Sequence, residues 1–257
     1  MPEIPDLEAF SRNLSRHLKG ATLESIKAHK RAKSDPSIAS INKALKGLKL
    51  KRIYREGKQL RFDFGENKLL GIHLMLHGEF RWEEKKKPTY VVFTFNYQGK
   101  PALWLTDFHF QAHIFLNPAL SEAPDVLDKK ANFKFWKTTL DSEKVIKTLL
   151  MDQDTVRGMG NAYTDEILYE AGIAPWSASS KIPDAQIKKL MKVIPKVHRN
   201  ASKMIDKNDP EVIGGEYRAF MKVHNSKKEK TDSGFRIKKK SIGGRKTYFT
   251  DEQVAYK

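Results

Sequence analysis

The sequence predicts an α+β protein of two domains, an N-terminal β-sandwich that begins with a helix and a C-terminal helical domain that ends in a β-hairpin. Three observations support this prediction. Apolar residues recur at helical spacing near the N-terminus, short strand-like runs follow as far as about residue 116, and helical spacing returns after Pro118. Elements that are segregated in this way are typical of α+β proteins or of separate domains.

The first half of the chain contains one helix and then strands. Residues 6–19 are predicted to form an amphipathic helix, because apolar residues recur three and four positions apart at Leu7, Phe10, Leu14 and Leu18. Strands are predicted from their β-branched and aromatic content and from glycine-containing turns between them. The predicted strands are 51–54, 60–64, 68–74, 90–97 and 102–107.

The second half is predicted to be mostly helical. A helical period is present in residues 120–130, 142–152, 160–172 and 184–205. After residue 215 the chain is strongly basic and strand-like, with a predicted hairpin at Gly243-Gly244. We therefore expect three segments, namely 1–118 as the sandwich domain, 132–214 as the helical domain and 215–257 as the hairpin.

Charge and composition narrow the class of partner. Lys and Arg outnumber Asp and Glu by 48 to 31, giving a net charge of +17. Such an excess favours a polyanion such as nucleic acid, although a basic surface without a partner and an anionic membrane surface are also compatible with it. The sequence has no cysteine, which excludes disulfides, thiol catalysis and cysteine-ligated zinc.

Membrane insertion and export are not expected. The first residues lack the features of a signal peptide, and no run of about 18 apolar residues is present. We expect an intracellular protein of the cytoplasm or nucleoid, or of the nucleus if the source is eukaryotic.

Pro2 is the first residue that indicates chemistry. A small second residue permits removal of Met1, which would leave a secondary amine at the terminus. An α-amino group has a pKa of about 7.7–8.0, so part of it is unprotonated near neutral pH. Such an amine can attack a sugar C1′, with a carboxylic acid such as Glu3 or Asp6 to protonate an oxygen. The alternative is an ordinary N-terminus in which proline and glutamate open a helix.

Three further positions indicate phosphate binding. Lys58 follows a glycine at the head of a strand, from which its ammonium group can reach a phosphate or a lesion. Gly160 permits a tight turn before Asn161, which we place at a helix N-terminus, where phosphates bind favourably. Arg245 lies at the tip of the basic hairpin and can enter a groove. Each position also has a simpler interpretation: Lys58 as a surface lysine at a turn, Gly160-Asn161 as a capped corner between helices, and Arg245 as part of a solvated basic hairpin.

These features occur together, in this order, in one family. The chain resembles the Fpg/Nei DNA glycosylases, which comprise the formamidopyrimidine glycosylase and endonuclease VIII branches. The resemblance covers nearly the whole chain and is most specific in two places, the opening Met1-Pro2-Glu3-Ile4-Pro5-Asp6 and residues 150–173, which match the helix–two-turn–helix motif. Residues 244–249 match the finger hairpin with its arginine.

The resemblance implies a bifunctional DNA glycosylase and AP lyase of base excision repair that removes oxidised bases. In that family the proline is the Schiff-base nucleophile and the next glutamate is the acid, here Pro2 and Glu3, while Lys58, Asn161 and Arg245 match phosphate-binding residues. We expect a monomer without cofactors that acts on double-stranded DNA containing damaged bases or abasic sites. The alternatives are a non-catalytic damaged-DNA-binding protein of the same fold, or a basic RNA-associated protein.

The chain departs from the family pattern at the finger. Many members hold zinc there through four cysteines, and by resemblance the two cysteine pairs would fall near Lys230 and Ser233 and near Thr250 and Gln253. We therefore predict no metal and a zincless finger, as in some endonuclease VIII-like members. Asp6 stands where glutamate is more usual.

The residues that fill the gap left by an extruded base also differ. By resemblance, Leu76 takes the place of a methionine, and the loop 107–112 supplies His109 with Phe110 or Gln111. A strict preference for cytosine opposite the lesion is therefore not expected. Alternatively, some of these side chains belong to the sandwich core. In the branch of this family that binds 8-oxoguanine, a longer loop usually lies between the last helix and the finger. The short segment 208–224 therefore resembles the endonuclease VIII branch, which implies a preference for oxidised pyrimidines or ring-opened and hydantoin lesions.

Overall fold

The computed structural model describes residues 1–119 and 121–257. It divides into two compact units, one formed by Met1–Leu120 with Ile205–Glu216, the other by Ser121–Met204 with Tyr217–Lys257. The chain returns from the second unit to the first at Ile205, and Gly215 and Glu216 therefore belong to the first unit. The three segments predicted from the sequence differ from these units, and as functional domains they stay a prediction.

The first unit begins with the predicted helix, α1 (Ile4–Leu18). Leu7, Phe10, Leu14 and Leu18 are each no more than 1% exposed. Their spacing places them on one helical face, and that face is the one the helix buries. The prediction of this helix is confirmed.

Nine strands and one further helix follow α1 within residues 19–119 of this unit. In chain order they are β1 (Leu23–Ala28), β2 (Lys33–Asp35), α2 (Ile38–Leu45), β3 (Arg52–Glu56), β4 (Gln59–Asp63), β5 (Leu69–His73), β6 (Glu79–Trp82), β7 (Val91–Tyr97), β8 (Leu103–Thr106) and β9 (His113–Leu116). One sheet has the order β1-β7-β8-β6 and the other β2-β9-β5-β4-β3. Every pairing is antiparallel except that of β2 with β9.

Aromatic side chains join the two sheets. The ring of Phe62 on β4 lies 6.1 Å from that of Phe80 on β6 and 6.4 Å from that of Phe95 on β7. All three are fully buried, so the facing sheets share one hydrophobic core. The predicted β-sandwich is confirmed.

The second unit contains helices and the hairpin. They are α3 (Phe133–Leu140), α4 (Ile146–Met151), α5 (Asn161–Ala171), α6 (Asp184–Asn208), β10 (Lys238–Ile242) and β11 (Arg245–Phe249), and the last turn of α6 is part of the first unit. The helices predicted over 142–152, 160–172 and 184–205 are thus confirmed. Gly243 and Gly244 have φ of 55° and 71°, as a two-residue hairpin turn of this kind requires.

Two predictions of local structure are wrong. Residues 121–130 form turns instead of the helix predicted over 120–130, and Leu120 lies outside the described residues. The carboxylates of Asp125 and Asp128 accept backbone N–H groups two residues on, at 3.1 and 2.8 Å, which favours turns over a helix. The strand-like character expected directly after residue 215 is confined to the hairpin, and residues 217–237 form turns and loops.

Candidate active site

The N-terminal residues are fixed at the start of α1. Pro2 is buried, and Glu3 and Asp6 are 4% and 1% exposed. The backbone N–H of Glu3 donates to Asp6 Oδ2 at 2.9 Å within a capping box that both side chains form. The three predicted residues are therefore brought together, and the shorter carboxylate of Asp6 still reaches the helix start.

A cavity of about 700 Å³ adjoins this terminus within the first unit. Its wall includes Met1 and Pro2, the turn between β5 and β6, the end of β8 and the returning segment with Gly215 and Glu216. Polar and ionisable groups line it at His77, Glu79, Arg81, Thr89, Thr106 and Glu216. A cavity of this size admits a nucleobase-sized ligand beside the chain terminus.

Glu216 was not predicted from the sequence, yet it contacts the terminus directly. The Met1 ammonium group forms an ion pair with the Glu216 carboxylate, and both side chains are partly exposed. The glutamate is distant from Met1 in the sequence and follows two glycines in a loop, so no local pattern identifies it. This contact places a carboxylate next to the amine at the cavity wall.

Lys58 lies in the β3–β4 turn, which a hydrogen bond from Arg55 Nη1 to the Gly57 carbonyl at 3.0 Å stabilises. Its charge acts on His73, whose pKa is lowered to about 4, mainly by burial and further by Lys58 and His113. Consistent with a neutral imidazole, His73 Nδ1 accepts the Met75 backbone N–H at 3.0 Å. Lys58 is thus a cation beside a neutral histidine.

The loop that follows β8 is organised by one buried carboxylate. Asp107 is 1% exposed and accepts the backbone N–H groups of His109, Gln111 and Ala112 at 2.9, 2.7 and 2.7 Å. The Phe110 N–H donates to the Asp107 carbonyl at 3.2 Å. The loop is therefore held rigidly, and it contains three of the predicted gap-filling residues.

The side chains of this loop have different environments. Phe110 is half-buried, with its ring centroid 6.0 Å from that of Tyr90 and 5.1 Å from the Arg31 guanidinium carbon. His109 is exposed. Leu76, the fourth predicted gap-filling residue, is 44% exposed and lines the cavity.

The remaining predicted residues lie in the second unit. Asn161 is the first residue of α5 and Gly160 is its N-cap, so the predicted position at a helix N-terminus is confirmed. Asn161 Nδ2 donates to the Lys246 carbonyl at 3.0 Å, which places the helix start next to the hairpin residue that follows Arg245. Arg245 opens β11 and lines a cavity of about 270 Å³ with Lys144, Lys147 and Asp152.

A buried ionic network, which was not predicted, connects the hairpin to the helices. Asp165 on α5 is 0% exposed and pairs with Lys147 on α4 at 2.7 Å; Lys147 is 1% exposed and also donates to Thr247 Oγ1 at 2.8 Å. The second carboxylate oxygen of Asp165 accepts the Tyr248 N–H at 2.9 Å and contacts His224 Nδ1 at 2.7 Å. These groups position the hairpin that carries Arg245.

Glu166, the next residue on α5, binds the segment that precedes the hairpin. Its carboxylate accepts the backbone N–H groups of Lys222, Val223 and His224 at 2.8, 2.7 and 2.7 Å. Burial raises the pKa of Glu166, and these three hydrogen bonds oppose that shift. Two adjacent acids of one helix thus bind the hairpin and the segment that precedes it, and both of them contact His224.

The four positions that the resemblance assigns to zinc ligands do not fit that metal. Their side chains are an ammonium, two hydroxyls and an amide, none of them a thiolate or imidazole. Three of these side chains form hydrogen bonds instead. Ser233 Oγ and Thr250 Oγ1 donate to the Glu252 carboxylate at 3.1 and 3.2 Å, and Gln253 Nε2 donates to the Ile173 carbonyl at 2.8 Å. The zincless finger stays a prediction that this donor set supports.

Comparison with known proteins gives consistent matches. The family model of the formamidopyrimidine-DNA glycosylase N-terminal domain matches residues 1–112, and that of the formamidopyrimidine-DNA glycosylase H2TH domain matches residues 123–208. The formamidopyrimidine-DNA glycosylase of Lactobacillus gasseri is 30% identical over 283 aligned residues, and the alignment covers 100% of this chain and 100% of the relative. That of Carboxydothermus hydrogenoformans is 27% identical, with 87% of this chain and 88% of the relative covered.

Solved structures are similar over nearly the whole chain. Fpg of Lactococcus lactis in complex with DNA containing an abasic site is 25% identical, with a TM-score of 0.86 over 98% of this chain and 100% of that one. MutM in complex with DNA containing carbocyclic 8-oxo-G is also 25% identical, with a TM-score of 0.86 over 98% and 99%. Among the described residues, no helix has the length and apolar character that crossing a membrane requires.

Proposed function

The chain belongs to the formamidopyrimidine-DNA glycosylase family, and from that premise we propose that it is a bifunctional DNA glycosylase and AP lyase of base excision repair. Its partner is double-stranded DNA that carries damaged bases or abasic sites, as in the similar Lactococcus lactis complexes. The observation that carries the proposal is the cavity of about 700 Å³ with Met1 and Pro2 in its wall. A base that is extruded from the duplex needs such a pocket beside the attacking group.

Catalysis begins at Pro2 once Met1 has been removed. The amine lone pair forms a bond to the sugar C1′ while the damaged base leaves with the electrons of the glycosidic bond, and the proton that the amine nitrogen loses neutralises the departing base. The C1′–O4′ bond then opens, and Glu3 donates its proton to O4′, which leaves a protein–DNA iminium. Glu3 suits this role because it is buried directly beside Pro2.

The iminium makes strand cleavage possible. It withdraws electrons from C2′, which loses a proton, and the C3′–O bond breaks with the phosphate as leaving group. Water then hydrolyses the iminium and restores the amine of Pro2. A second proton loss from the sugar would extend the reaction to δ-elimination.

Phosphate binding is assigned to residues of both units. Lys58 supplies a cation in the first unit. In the second, the N-terminus of α5 at Gly160 and the side chains of Asn161 and Arg245 provide donors for phosphate oxygens. This basic set agrees with a net charge of +17.

Single-turnover incision tests the proposal. Duplexes carrying an oxidised pyrimidine, a formamidopyrimidine, a hydantoin or 8-oxoguanine are incubated with wild type, with Glu3→Gln and with the control Glu24→Gln, which alters an exposed strand residue. We expect wild type and the control to release the base and cut the strand, with 8-oxoguanine the slowest substrate. Glu3→Gln should be slower by about 100-fold or more. A protein that binds these duplexes and cuts none would leave only the binding-protein alternative.

A further inference from the structure

Exposed apolar side chains of the first unit are concentrated at one place. Among its described residues, the large hydrophobic side chains that are clearly exposed are Leu76, Tyr90 and Phe108, at 44%, 51% and 51%. All three line the cavity of about 700 Å³. Exposed apolar side chains that lie together at the mouth of one cavity are typical of a site that contacts a ligand or partner.

Phe108 belongs to a cluster of three rings. Its centroid lies 4.3 Å from that of His77 and 4.3 Å from that of His109, and the two imidazole centroids are 4.6 Å apart. We call His77, Phe108 and His109 the aromatic ledge. Because the imidazoles support the phenyl ring, the ledge offers an aromatic surface at the cavity mouth.

The backbone keeps Phe108 in this exposed position. Asp107 directly before it is buried and accepts three backbone N–H groups of the loop, those of His109, Gln111 and Ala112. Charge-assisted hydrogen bonds of this kind are the stronger ones and limit loop movement. The exposed ring therefore does not depend on a mobile loop.

Phe110, which the resemblance gives as one of two alternatives with Gln111 for a gap-filling residue, already makes contacts within the protein. Its ring contacts the ring of Tyr90 and the guanidinium group of Arg31. Its backbone has a φ of 56°, within the left-handed region. Moving Phe110 into a duplex would break these contacts. Phe108 is already 51% exposed, so its insertion into a duplex would cost it less contact with the protein than the insertion of Phe110.

We infer that Phe108, supported by His77 and His109, is the side chain that stacks on a nucleobase of duplex DNA when a damaged nucleotide is extruded. Leu76 lines the same cavity. The inference rests on the proposed function for its ligand, duplex DNA, and is supported by the strongly basic charge of the chain. Stacking tolerates any base, because every base has a π face, so the ledge should not select the base opposite the lesion.

The test compares binding to two duplexes of one sequence, one intact and one with a tetrahydrofuran abasic analogue. The measured quantity is the ratio of the two Kd values from fluorescence anisotropy. Phe108→Ala should lower the preference for the abasic duplex by roughly 5- to 100-fold, the range for loss of one base–aromatic stack. Affinity for the intact duplex should be unchanged, because phosphate contacts dominate it.

Four further variants make the test specific. Phe108→Tyr should keep the preference and Phe108→Leu should lose it, since leucine is apolar but has no π face. Phe235→Ala removes a phenylalanine of similar exposure, 46%, and serves as the matched control with wild-type behaviour. A loss of preference with Phe110→Ala and none with Phe108→Ala would overturn the inference.

The outcome is independent of catalysis. A wild-type protein that binds both duplexes equally would also overturn the inference. A preference that depends on Phe108, in a protein that incises no lesion, would instead refute the proposed enzyme and leave the stacking role standing.

Discussion

Replacing Asp165 by asparagine tests whether the buried ionic network holds the hairpin to the helices. The substitution keeps the size of the side chain and removes its charge. In the wild type, Lys147 is 1% exposed and its ammonium group pairs with the Asp165 carboxylate at 2.7 Å. In the variant the same buried ammonium group has only a neutral amide as its partner. The Tyr248 N–H and His224, which share the other oxygen, also lose a charged acceptor.

The expected cost follows from that burial. Removing one partner of a buried ion pair destabilises a protein by about 3–5 kcal/mol, because the other charge stays uncompensated. A change of this size corresponds to a fall in Tm of roughly 6–20 °C for the unit concerned. Calorimetry or circular dichroism during heating measures it.

Glu170→Gln is the matched control on the same helix. Glu170 pairs with Lys222 and Lys196, whose side chains are 50% and 62% exposed, so its loss should cost less than about 1 kcal/mol. Lys147→Met combined with Asp165→Asn should be less damaging than the sum of the single changes by about 2 kcal/mol or more. The reasoning is refuted if Asp165→Asn costs no more than the control.

Three further predictions concern Arg245, His73 and Asp107. Arg245→Ala should weaken binding of all duplexes alike and lower the salt slope of log K by about 1, measured by titration at several salt concentrations; an unchanged slope would exclude a phosphate contact. His73 has a pKa of about 4 in the folded chain against an ordinary value of 6.5, so its contribution to stability is complete above pH 6.5 and is lost as pH falls towards 4. Urea unfolding should show a difference between wild type and His73→Leu that shrinks by about 3 kcal/mol over that interval, whereas a pH-independent difference would contradict a neutral His73. Asp107→Asn should lower the preference for abasic over intact duplex several-fold, because one of the acceptors that fix Phe108 is weakened, and an unaltered preference would show that the loop does not need this carboxylate.

The sequence predicts those elements whose signal is local. The spacing of Leu7, Phe10, Leu14 and Leu18 is sufficient for α1, because burying one face of a helix requires that spacing. The glycine pair at 243–244 likewise identifies the hairpin, since both residues adopt positive φ. The helix α2 was not predicted, although Ile38, Ile41 and Leu45 have helical spacing and Ser37 caps it, because it has only eight residues and lies among strands.

The site was only partly predictable. Pro2, Glu3 and Asp6 are consecutive or nearly so, and their proximity follows from a helix start. Glu216 reaches the terminus through tertiary folding, and Asp165 appears in the sequence as an ordinary helical acid, although the fold buries it against Lys147. Phe108 is more exposed than Phe110 because of the loop conformation that the hydrogen bonds of the Asp107 carboxylate stabilise. The composition of the loop does not predict these hydrogen bonds.

The most direct test of the central claim is borohydride trapping on a duplex with an abasic site, followed by peptide mapping of the adduct. The protein is first checked by intact mass for removal of Met1. The account predicts a covalent protein–DNA adduct on the peptide that begins with Pro2, and a much weaker adduct for protein that retains Met1, whose amine pairs with Glu216. An adduct that maps to Lys58 or another lysine, or no adduct from Met1-free protein that still binds the duplex, would contradict it.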